Sequence, residues 1–282
     1  PTWRRGFANM AKQRLDLLLL ERGLCQSREQ ARGLILAGKV KVGGKVVDKA
    51  GQAVSQDAAL EVATPEHGYV SRGGLKLEKA LREFAIDLGG KTLLDVGSST
   101  GGFTDCALQH GASQVVALDV GTGQLDWKLR NDPRVIVMER TNIRHVTRGC
   151  LPFVPNVVSI DVSFISLRLV LPVVSALLDD GGEVIALIKP QFEAGREQVS
   201  RGRGVIRASD VHVDTVVGVI ASAGDVGLTL RGLTWSPIRG PEGNIEFVAW
   251  LQKDPARVPL PDLPEQVSGV VLGAHKEFAG EK

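Results

Sequence analysis

The chain has 282 residues, 43% hydrophobic and 23% charged, a composition that suits a globular protein with one large and one small domain and excludes disordered and fibrous classes. Its longest apolar stretches, such as Leu167–Leu178 with Arg168 and Pro172 inside, fall short of the ~20 residues that cross a bilayer. The net charge of +2 conceals a basic front: residues 1–50 carry eleven Lys/Arg against four Asp/Glu, and the remainder is acidic, which points to a polyanion such as nucleic acid or to a solvated charged face.

Cys25, Cys106 and Cys150 are far apart with no C-x-x-C, so no disulfide framework or zinc knuckle is expected, and a reducing cytoplasm fits. The five histidines show no ligand spacing, and no metal is expected. Residues 1–13 are expected to form a disordered extension, with Met10-Ala11-Lys12 as a native start. Trp3-Arg4-Arg5 and the run Leu17–Leu20 do not make a signal peptide, because Asp16 and Glu21-Arg22 bracket only four leucines.

The apolar stripe at Leu15, Leu18 and Leu19 predicts a helix ending at Gly23. Ser27 caps a second helix running to about Ala37, with Ala31, Leu34 and Ile35 on one face. Lys39–Val42, the Gly43-Gly44 turn and Lys45–Val47 read as a hairpin, and Ala59–Val62 as a further strand. Residues 63–74 have linker composition. Leu77, Leu81 and Phe84 recur at helical spacing. Strands are expected at residues 92–95, 114–118, 135–138, 157–160, 184–188, 228–235 and 245–251, with helices at about 103–110 and 210–222. This alternation predicts an α/β fold with a doubly wound, mostly parallel seven-stranded sheet over residues 75–254, preceded by a small α+β domain. Residues 255–282 are a terminal helix or a disordered tail.

The stretch from Thr92 to Asp105 is an apolar run ending in Asp95, then the turn Gly97-Ser98-Ser99-Thr100-Gly101-Gly102, then a helix-forming segment. Its G-x-x-x-G-G spacing is neither the dinucleotide G-x-G-x-x-G nor a P-loop, which would need Gly-Lys-Ser/Thr. Asp95 at a strand end suits a cationic ligand better than a pyrophosphate. The alternative is a plain strand–turn–helix. The segment resembles motif I of S-adenosylmethionine (SAM) dependent methyltransferases and implies a Rossmann-like domain with Asp95, Gly97, Ser99, Thr100, Gly101, Gly102 and Phe103 at the cofactor. Asp119, followed by Val120, ends the next strand and can meet ribose hydroxyls. Asn142, within Arg140–Arg144, is placed to read an adenine edge, and Asp161 approaches the methyl-sulfonium region.

The front pattern Arg14-Leu15-Asp16, Ser27-Arg28-Glu29-Gln30-Ala31 and Gly38–Gly44 resembles the ribosomal-protein-S-four type RNA-binding domain over residues 14–62. Arg14, Arg28, Arg32, Lys39, Lys41 and Lys45 are its candidate phosphate contacts, since structured RNA is read largely by shape and backbone. A basic surface for protein contact is the alternative.

Ser71–Leu77, the Asp95 turn, Asp119-Val120-Gly121, Arg140–Arg144, Asp161-Val162-Ser163-Phe164, Lys189–Glu193 and Gly243–Glu246 together resemble the TlyA family over residues 14–252. That resemblance implies ribosomal RNA 2′-O-methylation by an FtsJ/RrmJ type domain, on a cytidine of the small-subunit RNA, the large-subunit RNA or both, with SAM as cofactor and S-adenosylhomocysteine as product. It implies a cytoplasmic enzyme acting on ribosomal RNA or ribosomal subunits, without membrane association, and expected to be a monomer. It also implies a catalytic tetrad of Lys76, Asp161, Lys189 and Glu246. Lys189 would accept the 2′-hydroxyl proton or steer the oxygen, with Lys76 as a neighbouring cation that favours a neutral Lys189. Asp161 would orient Lys189, and Glu246 would hold the hydroxyl or a lysine. Arg72, and Arg201 and Arg203 in a flexible basic loop at residues 195–207, are further candidate RNA contacts. Asp161-Val162-Ser163-Phe164 lacks the Asn/Asp-Pro-Pro-aromatic element of base-amino methyltransferases, and no cysteine sits at a strand end for carbon-5 chemistry. A non-catalytic RNA-binding assembly factor and a membrane-active hemolysin are the rival classes.

Overall fold

A computed structural model describes residues 12–25, 27–62, 68–202, 204–254, 256 and 261–280, with the side chains of residues 30, 196, 197 and 201 outside that description. The chain divides into two compact units: one runs to Gly68, with Asp126–Lys128 grouped with it, and the other is the remainder from Tyr69.

The first unit comprises β1 (Lys12–Arg14), α1 (Leu15–Glu21), α2 (Arg28–Leu36), β2 (Val40–Val42), β3 (Lys45–Val46), β4 (Ala53–Ser55) and β5 (Leu60–Val62). Leu15, Leu18 and Leu19 bury against Ala31 and Ile35 of α2 and Val40 of β2. Each such leucine contributes about 1.5–3 kcal/mol when fully buried. Gly43 and Gly44 both take positive φ and close the β2–β3 hairpin. β2 is central, antiparallel to β3 and β5.

β1 pairs with β4, Lys12 opposite Ser55. This corrects the expectation that residues 12 and 13 belong to a disordered extension. Three polar residues carry no alternating apolar signal; the backbone ladder to β4 orders them, with side-chain bonds from Gln13 to Glu21 and from Arg14 to Asp16. Residues 1–11 and 63–67 lie outside the described residues.

The second unit follows as α3 (Gly73–Glu83), β6 (Thr92–Val96), α4 (Gly102–Gln109), β7 (Gln114–Leu118), α5 (Trp127–Arg130), β8 (Val135–Met138), β9 (Val157–Ile160), α6 (Leu167–Leu177), β10 (Glu183–Ile188), α7 (Pro190–Glu193), α8 (Arg196–Arg201), α9 (Ser209–Asp225), β11 (Leu228–Trp235), β12 (Phe247–Lys253) and α10 (Leu263–Phe278). Its seven strands lie in the order β11-β12-β10-β9-β6-β7-β8. β8, β7, β6, β9 and β10 run parallel, and β12 is antiparallel to both β10 and β11.

Strand residues alternate between two apolar layers. Leu94, Val116, Val158 and Val184 face the layer shared with α6, α9 and α10. Leu93, Val115, Val157 and Ile185 face the layer shared with α3 and α4. The chain leaves β6 toward β7 in one direction, while β9 and β10 continue in the other. The crevice beyond the carboxyl ends of β6 and β9 is therefore a topological switch point, where open α/β sheets bind ligands.

Three local findings differ from expectation. α3 begins at Gly73, inside the stretch assigned to the linker, because the Ser71–Gly74 turn packs directly against the start of α4. Residues 196–201 of the basic loop form α8, with the Gly195 N–H donating to Gln198 Oε1. α6 accommodates Pro172 and buries Val170, Leu171 and Val174. In the tail, α10 buries Leu263, Val267, Val271, Ala274 and Phe278 at helical spacing.

Candidate active site

The switch point is assembled by two turns that nearly touch. The Gly97 N–H donates to Leu118 O at 2.8 Å, and the Asp161 N–H to Val96 O at 2.9 Å. A Cβ on Gly97, at φ +85, would lie 2.6 Å from Asp161 O. Only glycine allows that approach. At Gly102 a Cβ would meet Ser71 Oγ at 2.3 Å and Gly74 N at 2.8 Å, so the start of α4 packs directly on the start of α3. That contact carries Lys76 to the rim.

Asp95 is fully buried behind the turn. Its Oδ2 accepts from Thr104 Oγ1 at 2.7 Å and its Oδ1 from Ser159 Oγ at 3.0 Å. Burial pushes its carboxyl up to about 6, against the two hydroxyl donors that lower it. The expected direct contact with a cationic ligand is therefore corrected: Asp95 braces β6, β9 and α4, and it faces α4 because odd positions of β6 point to that layer.

A cavity of about 800 Å³ opens in front of the turns. That is within the range of about 300–1,000 Å³ usual for small-molecule sites. Gly97, Ser99, Thr100, Gly102 and Phe103 line it, as do Arg72, Lys76, Asp161, Lys189 and Glu246. Four charged side chains alternate in sign along it. Lys76 Nζ is 2.6 Å from Glu246 Oε2 and 3.9 Å from Asp161 Oδ2. Lys189 Nζ is 2.6 Å from Asp161 Oδ1 and donates to Ser163 Oγ at 3.1 Å. Lys76, Lys189 and Glu246 are buried, which pairing of this kind makes tolerable. Asp161 Oδ1 is enclosed yet accepts no hydrogen bond: Lys189 approaches it as an ion-pair partner and bonds Ser163 instead. Asp161 stands between the two ammonium groups. Lys76, the expected neighbouring cation, therefore reaches Lys189 only across Asp161.

Other expected residues fall elsewhere. Gly101, at φ +98, is the N-cap of α4, where a Cβ would strike Leu125 and Leu129. Asp119 accepts from the Ser99 N–H at 2.8 Å and the Gly121 N–H at 2.7 Å, tying the β6 and β7 turns together. Val120 is 69% exposed. The Asn142 side chain caps the 3-10 turn Ile143–His145 through the Arg144 N–H. None of these four lines the cavity. Arg201 ends α8, its side chain outside the described residues, as is Arg203.

In the first unit, Arg14 and Arg28 converge on buried Asp16, at 2.9 Å each to Oδ2. The Arg14 hydrogen bond, with Arg28 helping and burial opposing, holds the Asp16 carboxyl down to about 2. Arg32, Lys41 and Lys45 are exposed and Lys39 is half-buried.

The cavity also contains residues to which sequence reasoning gave no role. Phe164, 91% exposed and at φ +63, meets the Phe192 ring at a centroid distance of 5.0 Å. An aromatic between two strand-end motifs was the available signal. Ser163, Gln191, Arg239 and Glu242 complete the lining, brought in from distant segments. Among the described residues no group of three or more His, Cys, Asp or Glu is arranged to hold a metal, and no helix is long and apolar enough to cross a membrane.

The FtsJ-like methyltransferase family matches residues 69–253, and the S4 domain family matches residues 13–59. A Mycobacterium tuberculosis protein described as 16S/23S rRNA (cytidine-2'-O)-methyltransferase TlyA is 46% identical over 242 residues, spanning 86% of this chain and 90% of that one. The chain belongs to the TlyA family. Bacillus subtilis YqxC, described as a candidate rRNA methyltransferase, is a further relative of this TlyA-family chain, 49% identical over 273 residues, 96% of this chain and 97% of that one. A solved structure from Streptococcus thermophilus carrying a hemolysin label is 47% identical, covers 96% of this chain and 98% of its own, and superposes with a TM-score of 0.74. The FtsJ-like domain makes the TlyA-family chemistry SAM-dependent methyl transfer.

Proposed function

We propose that this chain methylates a ribose 2′-hydroxyl of ribosomal RNA, on a cytidine, as the names of its TlyA relatives suggest. The observation that carries the reading is the alternating Glu246–Lys76–Asp161–Lys189 array in the cavity formed at the Gly97 turn.

The cavity fits SAM. Gly97 gives the backbone room beside Asp161, and both residues line the cavity. Gly97, Ser99, Thr100, Gly102 and Phe103 would hold the cofactor, with Gly101 and Asp95 fixing the turn. Asp119 keeps lone pairs beyond its two backbone bonds for ribose hydroxyls, near Val120 and Asn142. SAM supplies an electrophilic methyl on a sulfonium and leaves as S-adenosylhomocysteine.

The protein's task is alignment and proton removal. Lys189 Nζ steers the 2′-oxygen, and the Lys189–Asp161 pair takes its proton. Lys76 fixes Asp161 from the far side, and Glu246 fixes Lys76. In-line placement is a large share of such a rate enhancement. The exposed Phe164–Phe192 pair suits stacking of an unstacked base, and Arg72, also in the cavity lining, suits phosphate.

Residues 14–62 serve as the RNA-holding domain through Arg14, Arg28, Arg32, Lys39, Lys41 and Lys45. Residues 69–253 carry catalysis, with Arg201 and Arg203 as further RNA contacts. The enzyme is expected to work as a single chain in the cytoplasm, on ribosomal RNA or ribosomal subunits. Isotopic methyl transfer from SAM to unmodified subunits, followed by nucleoside analysis, tests the reading. A 2′-O-methylcytidine is expected, and a methylated base or no incorporation contradicts it.

A further inference from the structure

One carboxylate beside the cavity has no part in the chemistry above. Glu193 ends α7, four residues after Lys189, and both of its oxygens reach the start of α6. Its Oε2 accepts from Ser166 Oγ at 2.6 Å, and its Oε1 from the Leu167 N–H at 2.6 Å. Ser166 is in turn the N-cap of α6, its Oγ accepting from the Arg168 N–H at 3.2 Å. The carboxylate thus ties the segment after β10, which carries Lys189 and Phe192, to the segment after β9, which carries Asp161, Ser163 and Phe164. Charge-assisted bonds of this length are about twice as strong as neutral ones, and a carboxylate is favoured at a helix N-terminus.

The segment needs such a tie. Phe164 sits at φ +63, a conformation that a bulky residue does not keep unless its surroundings impose it. At 91% exposure its own ring is held by little besides Phe192. Downstream Glu193 holds the Ser166 hydroxyl two residues later and the Leu167 backbone N–H three residues later. Upstream Ser163 Oγ takes its bond from Lys189.

We propose that Glu193 is a positioning residue for methyl transfer: its carboxylate sets the β9 segment against the β10 segment, so that Phe164 meets Phe192 and Asp161 meets Lys189. This rests on the RNA 2′-O-methylation reading.

The test uses the full-length enzyme with ribosomal subunits as substrate and S-adenosylhomocysteine as the calorimetric probe. Glu193→Ala should bind the probe within about twofold of wild type yet lose tenfold or more in kcat, with a raised KM for subunits. Glu193→Gln, which keeps an acceptor for Leu167, should recover part of kcat. In a Phe164→Ala background, Glu193→Ala should cost markedly less than in wild type, because contacting elements couple. A lower melting temperature with wild-type kcat and KM at a permissive temperature would reduce Glu193 to a helix cap and overturn the proposal. So would full additivity with Phe164→Ala. If Glu193→Ala does not fold, Glu193→Gln decides: a several-fold loss of kcat at near-normal melting temperature supports the proposal, and unchanged kcat overturns it. A wild-type enzyme inactive on RNA is a separate result that overturns the methylation reading, and the proposal with it.

Discussion

Lys76 and Glu246, 170 residues apart in sequence, meet at 2.6 Å in the interior of the second unit. The pair joins the first helix of that unit to the turn before its last strand. Breaking a buried pair strands the remaining charge, which typically costs about 3–5 kcal/mol. Glu246→Ala is expected to destabilise the protein by that order and Lys76→Met by a similar amount. The double variant should cost clearly less than the sum, as a denaturant double-mutant cycle would read. Additive losses would show that the two groups do not act as a pair.

The glycine turn makes a sharper demand. In Gly97→Ala the new methyl would lie 2.6 Å from Asp161 O on a backbone at φ +85. Forcing a non-glycine residue there costs about 1–3 kcal/mol in strain alone, and the turn must also move off Asp161. Tenfold or greater loss of S-adenosylhomocysteine affinity is expected by calorimetry, with a lower melting temperature. Wild-type affinity would remove this turn from the cofactor site.

Asp95 should be visible in the pH dependence of stability. Its folded value of about 6 lies above the ordinary aspartate value of 3.8. The folded state therefore binds the extra proton between those values, and stability falls as pH rises through that window. At 1.36 kcal/mol per pKa unit the full effect is about 3 kcal/mol. Denaturant unfolding from pH 4 to pH 7 should show this slope in wild type and a flatter profile in Asp95→Asn. Equal slopes would mean Asp95 is not the group responsible.

Lys41 and Lys45 lie on neighbouring strands β2 and β3 and are exposed. If they meet RNA phosphates, Lys41→Glu and Lys45→Glu should each weaken RNA binding and lower the slope of log affinity against log salt by about 1. Cofactor affinity should be unchanged. An unaltered salt slope would point to a protein-facing surface instead.

Much of this architecture is legible in single-chain pattern. Residues 114–118, 135–138 and 157–160 are strands at the expected bounds, because parallel strands covered on both faces read as short apolar runs closed by turn residues. The α6 helix is obscured by Pro172 and by apolar residues on most sides. β1 and β4 stay hidden because backbone pairing, rather than a side-chain pattern, defines them. At the site, the family resemblance names the tetrad, and of its members strand ends by themselves indicate only Asp161 and Lys189. The order in which they pair depends on side-chain reach across the rim, and so does the interposition of Asp161 between Lys76 and Lys189. Asp95 looks like a ligand contact in sequence because a strand-end position does not reveal which layer the side chain faces. Glu193 is equally silent, since its partners Ser166 and Leu167 lie on a different strand–helix turn.

The account turns on Lys189. General acid–base contributions run to about 10²–10⁴-fold. Single-turnover methyl transfer by Lys189→Ala, with SAM affinity measured on the same preparation, is the most direct test. A loss of that size in the transfer rate at unchanged SAM affinity is the expected result. Transfer to ribosomal RNA at the wild-type rate would contradict the assignment.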